Sequence, residues 1–181
     1  AIYQSGDKTY ALLENLLKWS QAHSDRLQVN IKELQVKEMV ESNLDLLRFT
    51  VGQKKLDVET RIEDGLVVMA DRELLDTVIR NLAGNAIKFT PEGGRLILSA
   101  AQHNGKVRMM VKDTGVGMSK EEIQGVFRID DKTSRRCTAG ETGTGLGLIL
   151  CREFIQKMKG DIFIESEPGK GTSVIFELPG I

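Results

Sequence analysis

Two asparagines and a lysine recur at helical spacing in the run Ile79-Arg80-Asn81-Leu82-Ala83-Gly84-Asn85-Ala86-Ile87-Lys88-Phe89-Thr90. At ~100° per residue, Asn81, Asn85 and Lys88 fall within an arc of roughly 60°, and Leu75, Leu82, Ala86 and Phe89 centre roughly 100° away as a core face. An asparagine carbonyl is a hard oxygen ligand that suits Mg2+, and a lysine ammonium is a point charge that suits phosphate. Asparagine is a mediocre helix former, so two of them in mid-helix ask for a reason. A second stretch, Asp113-Thr114-Gly115-Val116-Gly117-Met118, follows a strand-like run. Its glycines let the backbone turn sharply and let a flat ligand approach. A carboxylate there can accept a hydrogen bond from an exocyclic amine such as adenine N6, whereas the guanine carbonyl at the same place would repel it. A third stretch, Gly140-Glu141-Thr142-Gly143-Thr144-Gly145-Leu146-Gly147-Leu148, leads into a helical pattern. Free N–H groups at a helix start bind anions, and glycines let phosphate reach them. No Gly-Lys-Ser/Thr follows, so this is not a Walker A loop, and the spacing is not that of a dinucleotide fingerprint. Taken singly, each stretch also reads as ordinary structure: a solvated helix face, a capped strand-to-helix turn, a loop before a helix.

The elements that must position these residues follow from periodicity. Residues 9–26 carry Leu12, Leu13, Leu16, Leu17 and Trp19 as a wide apolar stripe, so they read as a helix that needs a partner. A short strand is expected over 29–34, then a helix with Val36, Val40, Leu44, Leu47 and Val51 in register. Residues 55–63 and 66–70 alternate as strands about the turn signal Asp64-Gly65. Asp71 is placed to cap a helix that runs to Phe89 and stops at Thr90-Pro91 and Gly93-Gly94. Residues 95–102 and 107–112 form a hairpin through Asn104-Gly105. A short helix over 119–126, a polar stretch over 128–144, a helix over 146–158 and strands over 161–165 and 172–178 complete the chain, the last two joined by Glu167-Pro168-Gly169. Strands joined by hairpins and mixed with helices predict an α+β fold, a two-layer α/β sandwich whose mixed sheet is covered on one face by helices.

Composition narrows the classes. The 181 residues suit one full domain with a short appendage. With 25 Lys+Arg against 26 Asp+Glu the formal net charge is -1, which argues against a nucleic-acid module. Any anion must therefore be gripped locally. Cys137 and Cys151, the only cysteines, lack metal-ligand spacing and fit a reducing cytoplasm. No apolar run approaches the ~20 residues that span a bilayer, and no signal peptide is expected.

In this order the three stretches, Asn-x3-Asn-x2-Lys, Asp-x-Gly-x-Gly and Gly-x-Gly-x-Gly, resemble the N, G1 and G2 boxes of the gyrase, Hsp90, histidine kinase and MutL superfamily. The wording of residues 81–90 and 143–148, and the ending from Glu165 through Thr172 to Pro179, is similar to bacterial sensor histidine kinases. The resemblance covers about 29–179 and implies a Bergerat-type ATP-binding fold with ATP and Mg2+ as cofactors. Residues 1–28 resemble the end of the second helix of a dimerisation domain. By position, Asn85 would ligate Mg2+, Asn81 would support it or the phosphates, and Lys88 would contact phosphate, so Asn85 and Lys88 carry the catalytic roles. Asp113 would hold the adenine amine, Gly115 and Gly117 would shape the pocket, and Met118 would lie against the base. Gly143, Thr144, Gly145, Leu146 and Gly147 would meet the phosphates from the end of a lid, and Thr172 would sit behind the adenine.

The implied reaction is transfer of the γ-phosphoryl group to a histidine on a dimerisation domain, for relay to an aspartate of a response-regulator receiver domain. The expected full-length protein is a cytoplasmic-facing homodimer that an inner-membrane anchor could hold, with no nucleic-acid partner. His23, followed by Ser24-Asp25, and His103 lack the acceptor's context and read as surface residues. The F box departs from the family: Phe127 is clear, followed by Arg128-Ile129-Asp130-Asp131. Lys132, Arg135 and Arg136 in the lid segment read as a solvated loop, Cys137 as an incidental lid residue and Cys151 as a buried one. Other readings are another superfamily ATPase, a serine-directed anti-sigma kinase, or a non-catalytic dimerising module with a vestigial ATP site. The clamp ATPases need a glutamate base near the N box, and none lies between Val78 and Lys88.

Overall fold

A computed structural model describes residues 28–128 and 146–181. The expected opening helix, His23 and most of the lid segment lie outside these residues. Strand β1 (Lys32–Gln35) runs straight into helix α1 (Val36–Gln53), and β2 (Asp57–Ile62), β3 (Val67–Ala70) and helix α2 (Arg72–Phe89) follow. Then come β4 (Arg95–His103), β5 (Lys106–Asp113), α3 (Lys120–Gly125), α4 (Leu146–Lys157), β6 (Asp161–Glu167) and β7 (Gly171–Pro179).

Local chemistry sets the ends of these elements. Asp71 Oδ1 accepts from the Glu73 and Leu74 amides at 3.0 and 3.2 Å, which satisfies two of the donors that a helix start leaves unpaired. Its Oδ2 accepts from Asn30 N at 2.8 Å and so ties the incoming chain to the same point. Ser119 and Glu122 form a reciprocal capping box on α3. Asn104 and Gly105 both have positive φ (51° and 76°), as a two-residue turn between antiparallel strands requires.

The main sheet has the order β2-β4-β5-β7-β6. Only β2–β4 is parallel; β4–β5, β5–β7 and β6–β7 are antiparallel. Along β5, Val107, Met109 and Val111 are buried while Arg108 and Lys112 are exposed, so the helices cover one face, as the alternation predicts. The core between the layers is held by Leu75, Ile79 and Leu82 of α2, Phe154 and Ile155 of α4, and Phe176 of β7.

One pairing lies beyond what the turn signal sets, and one expectation needs correction. Strands β2 and β3 flank the Asp64-Gly65 turn without pairing with each other. Strand β2 joins β4 in the main sheet, whereas β3 pairs with β1 in a separate two-stranded sheet. Strand β3 is short and apolar, and its fully buried Val68 and Ala70 join the main core; Val68 also bridges Gly180 beyond β7. Leu75, Leu82 and Ala86 lie in the core face as expected, but Phe89 is only half-buried because it ends the helix.

Among the described residues no helix is long and apolar enough to cross a membrane. Cys151 is fully buried, and desolvation pushes its thiol far above the usual range. Only the thiolate reacts. Timed labelling with a thiol reagent is therefore expected to leave Cys151 unmodified in the folded protein and to modify it on denaturation. Labelling of Cys151 at a free-thiol rate under native conditions would contradict the burial.

Candidate functional site

The three chemistry-bearing stretches meet. Helix α2 carries Asn81, Asn85 and Lys88, each half-buried. Helix α4 begins at Leu146, and its second residue, Gly147, comes against the two asparagines: a methyl placed there would lie 3.1 Å from Asn81 Oδ1 and 3.9 Å from Asn85 Nδ2. The Asn81 amide is committed, since Nδ2 donates to Thr77 O at 2.9 Å in its own helix. The Asn85 amide has no hydrogen-bond partner among the described residues. The two asparagines are therefore unequal: one buttresses, the other is available.

The loop after β5 is pinned to the end of the same helix. Val116 N donates to Phe89 O at 3.3 Å, and a methyl on Gly115 would sit 2.5 Å from that oxygen. Asp113, the last residue of β5, is 5% exposed, which is unusual for a carboxylate with no cation on it among the described residues. Its Oδ1 accepts from Gly115 N at 2.7 Å and from Thr172 N at 3.2 Å. Oδ2 has no protein partner among the described residues. Burial pushes the carboxyl above the ordinary aspartate range, and the two amide donors offset part of that rise. A carboxylate held from behind with one oxygen unpaired is an acceptor awaiting a donor.

The β6–β7 hairpin closes this corner. Gly169 N donates to Val116 O at 2.8 Å, and Met118 N donates to Ser166 Oγ at 2.8 Å. Met118 is 7% exposed yet does not join the main core cluster, so its packing is local to this corner. Gly117 (φ +68°) faces the Glu167 carbonyl, and Gly171 (φ +93°) faces the Asp113 carbonyl, each with no room for a β-carbon. Gly171→Ala is therefore expected to cost ~3 kcal/mol or more, because it adds a backbone clash to an unfavourable φ. Gly169→Ala, at φ +78° in open space, should cost only ~1–2 kcal/mol. Chemical denaturation of both variants checks this, and equal losses would contradict the close approach.

Of the residues expected at the site, Gly147 meets Asn81 and Asn85, and Asp113, Gly115, Gly117, Met118 and Thr172 share the corner closed by the β6–β7 hairpin. The two groups are linked where Val116 N donates to Phe89 O at the end of α2. Leu146 precedes Gly147 at the start of α4, and Lys88 lies one turn beyond Asn85 on α2. Gly143, Thr144 and Gly145 lie outside the described residues, as do Lys132, Arg135, Arg136 and Cys137. The single F-box phenylalanine, Phe127, lies under the Arg152 guanidinium, 5.4 Å from the ring centre, which docks it on α4. His103 is half-buried at the end of β4, in register with Lys106, while Asp113 is paired with Leu96 at the other end of the same ladder.

Two positions escaped the sequence. Lys54 Nζ donates to the carbonyls of Ile87, Lys88 and Thr90 at 2.8, 3.0 and 3.0 Å, placing a positive charge on the carboxyl end of α2. Nothing in the run Gln53-Lys54-Lys55 marks this. Ser166 left a faint signal: it continues the inward alternation of Ile162 and Ile164, where the pattern asks for an apolar residue.

Residues 70–180 match the family described as histidine kinase-, DNA gyrase B-, and HSP90-like ATPase. Over 179 residues the chain is 34% identical to the histidine protein kinase DivJ of Caulobacter vibrioides, a match covering 98% of this chain and 30% of that protein. It is 38% identical over 173 residues to the adaptive-response sensory kinase SasA of Crocosphaera subtropica, covering 93% of this chain and 44% of that one. The chain thus spans less than half the length of these curated relatives. The solved structure of full-length ShkA in complex with AMPPNP superposes with a TM-score of 0.85 at 25% identity, over 98% of this chain and 37% of that one. The nucleotide-free catalytic domain of the histidine kinase ThkA gives 0.74 at 28% identity, over 83% and 95%. The mixed sheet with helices on one face is the architecture of these domains, so the expected α+β fold stands.

Proposed function

The chain belongs to the histidine kinase-, DNA gyrase B-, and HSP90-like ATPase family, and on that premise we propose that it is the catalytic, ATP-binding part of a sensor histidine kinase. The observation that carries this reading is the convergence just described. Gly147 at the start of α4 meets Asn81 and Asn85, and the loop bearing Asp113 hangs on the last carbonyl of the same helix. ShkA binds AMPPNP in its solved complex, which supports an adenine nucleotide here.

Asp113 Oδ2 accepts from the adenine amine, with Gly115 and Gly117 bringing backbone close to the ring, Met118 against its face and Thr172 behind it. Gly143, Thr144 and Gly145, with Leu146 and Gly147, offer amides to the phosphates, and Lys88 adds a positive charge. Mg2+ fits the donors present. Asn85 offers a half-buried carbonyl oxygen with no partner among the described residues, and no group of three or more His, Cys, Asp or Glu there competes for a metal. A bound Mg2+ would neutralise charge on the phosphate oxygens. Asn85 would hold it, with Asn81 in support.

An imidazole nitrogen is nucleophilic when neutral, so this chain need supply no base. The acceptor histidine of the dimerisation domain attacks the γ-phosphorus in line. An N–P bond forms, the P–O bond to the β-phosphate breaks, and its electron pair leaves with ADP. The contribution of this chain is orientation and charge neutralisation. Residues 1–28 belong to the dimerisation helix and 29–181 to the catalytic domain. The full-length protein is a homodimer on the cytoplasmic side, and its phosphohistidine supplies a response-regulator aspartate.

The test is transfer in trans. With γ-labelled ATP and Mg2+, a supplied dimerisation domain carrying an acceptor histidine is expected to become labelled, while this chain is not. His103, at the far end of the β4–β5 ladder from Asp113, is out of reach in cis. Label on His23 or His103, or ATP turnover to phosphate without transfer, would overturn the assignment.

A further inference from the structure

We infer that Ser166 is a positioning residue that sets purine specificity: it fixes the Thr172 hydroxyl so that only acceptors face the 6-position of the base. The inference rests on the adenine reading of the Asp113 corner and extends it to a residue that touches no nucleotide itself.

Counting protons fixes the orientation of each hydroxyl at this corner. Ser166 Oγ lies 2.9 Å from Gly171 O, 2.9 Å from Thr172 Oγ1 and 2.8 Å from Met118 N. A serine hydroxyl has one proton to give and two lone pairs to receive. Gly171 O can only accept, so it takes the Ser166 proton. Met118 N can only donate, so it occupies one lone pair. Thr172 must then give its own proton to the other. With that proton spent, Thr172 Oγ1 presents nothing but lone pairs elsewhere. Its backbone amide is spent as well, on Asp113 Oδ1 at 3.2 Å. The corner holding Asp113 Oδ2 and Thr172 Oγ1 is thereby acceptor-only. It welcomes an amine at purine C6 and repels a carbonyl there. Ser166 and Thr172 face each other across the β6–β7 ladder, so strand pairing holds the triad in place.

Removing the Ser166 hydroxyl has two separable effects. It frees Met118 N, which loosens the loop and weakens every nucleotide alike. It also frees the Thr172 hydroxyl to rotate and donate to a 6-carbonyl, which lowers selectivity. A merely structural serine would produce the first effect without the second.

The experiment measures affinity for ADP and for inosine diphosphate, which differ in the C6 substituent (amine against carbonyl) and in the N1 proton that accompanies the carbonyl, by calorimetry with Mg2+ on wild type, Ser166→Ala, Ser166→Thr, Thr172→Val and the Ser166→Ala/Thr172→Val pair. Wild type is expected to prefer ADP. Ser166→Ala is expected to reduce the ADP-to-IDP preference about tenfold, as a misplaced donor does in a hydrogen-bonding site, and Ser166→Thr, which keeps the hydroxyl, to restore it. Thr172→Val should lower the preference too, and the pair should fall no further than Thr172→Val alone. An unchanged preference in Ser166→Ala, or additive losses in the pair, overturns the inference. If Ser166→Ala lacks a cooperative thermal transition, the comparison of Thr172→Val with wild type decides, and an unchanged preference there overturns it equally. Failure of the underlying reading looks different: wild type would not bind ADP, or would bind it as well after Asp113→Asn.

Discussion

Asp113→Asn is expected to cost on the order of 100-fold in ATP affinity, the scale of a lost charge-assisted hydrogen bond, while leaving the ligand-free protein as stable as wild type or more so. The two effects share one cause. Asp113 Oδ1 takes its two bonds from Gly115 N and Thr172 N, and an asparagine carbonyl can take the same two. What changes is the outer atom, where an acceptor becomes an NH2 donor that meets the donor of adenine N6. The buried charge disappears at the same time. Burial raises the Asp113 pKa above its ordinary value. A carboxyl whose folded-state pKa is raised adds stability below its unfolded pKa and loses it as pH rises through the folded one, so at neutral pH the ionised group is a net cost. Asparagine removes that cost. Titration with ATP, alongside thermal unfolding without ligand, checks both halves. A variant that lost binding only because it unfolded would show a depressed melting temperature, and the assignment of Asp113 to the base would go with it. The same logic fixes a pH dependence in the wild type. Affinity should fall as pH drops through the raised Asp113 pKa, earlier than an ordinary aspartate would allow, because the protonated carboxyl no longer offers two acceptor oxygens.

Much of this geometry was legible in the residues, for identifiable reasons. Helix α2 is bounded by chemistry that is local in sequence: Asp71 caps it, and the chain after Thr90 cannot continue it. The hairpin at Asn104-Gly105 is fixed by two positive φ values that few residue pairs tolerate. The site residues on α2 follow from helical phase alone. What the sequence concealed is contact between distant stretches. The Asp64-Gly65 turn signal was correct, yet it could not say that β2 would run parallel to β4 while β3 left for another sheet. Lys54 is an unremarkable lysine until the end of α2 is brought to it. Ser166 differs from a surface serine only in facing inward from β6. The unequal duties of Asn81 and Asn85 were likewise invisible, because spacing places both on one stripe and says nothing of which amide is already bonded.

That inequality yields the second large effect. Asn85→Ala is expected to abolish the dependence of nucleotide affinity on Mg2+ and to slow phosphoryl transfer to a supplied acceptor domain on the order of 100-fold, in line with the removal of one preorganised charge-stabilising group. Asn81→Ala should do far less to transfer, about tenfold or below, and should instead lower stability by about 1 kcal/mol, the scale of one lost hydrogen bond. The difference comes from the partners. Asn81 spends its NH2 group on Thr77 O and turns its oxygen toward Gly147, so its loss loosens the seat of α4. Asn85 has no partner among the described residues, so its removal costs the fold little and the ligand much. Isothermal titration with and without Mg2+, together with single-turnover transfer, separates the two substitutions. If Asn81→Ala and Asn85→Ala reduced transfer equally, or if Asn85→Ala still responded to Mg2+ as wild type does, the cation ligand would have to be sought elsewhere in the chain.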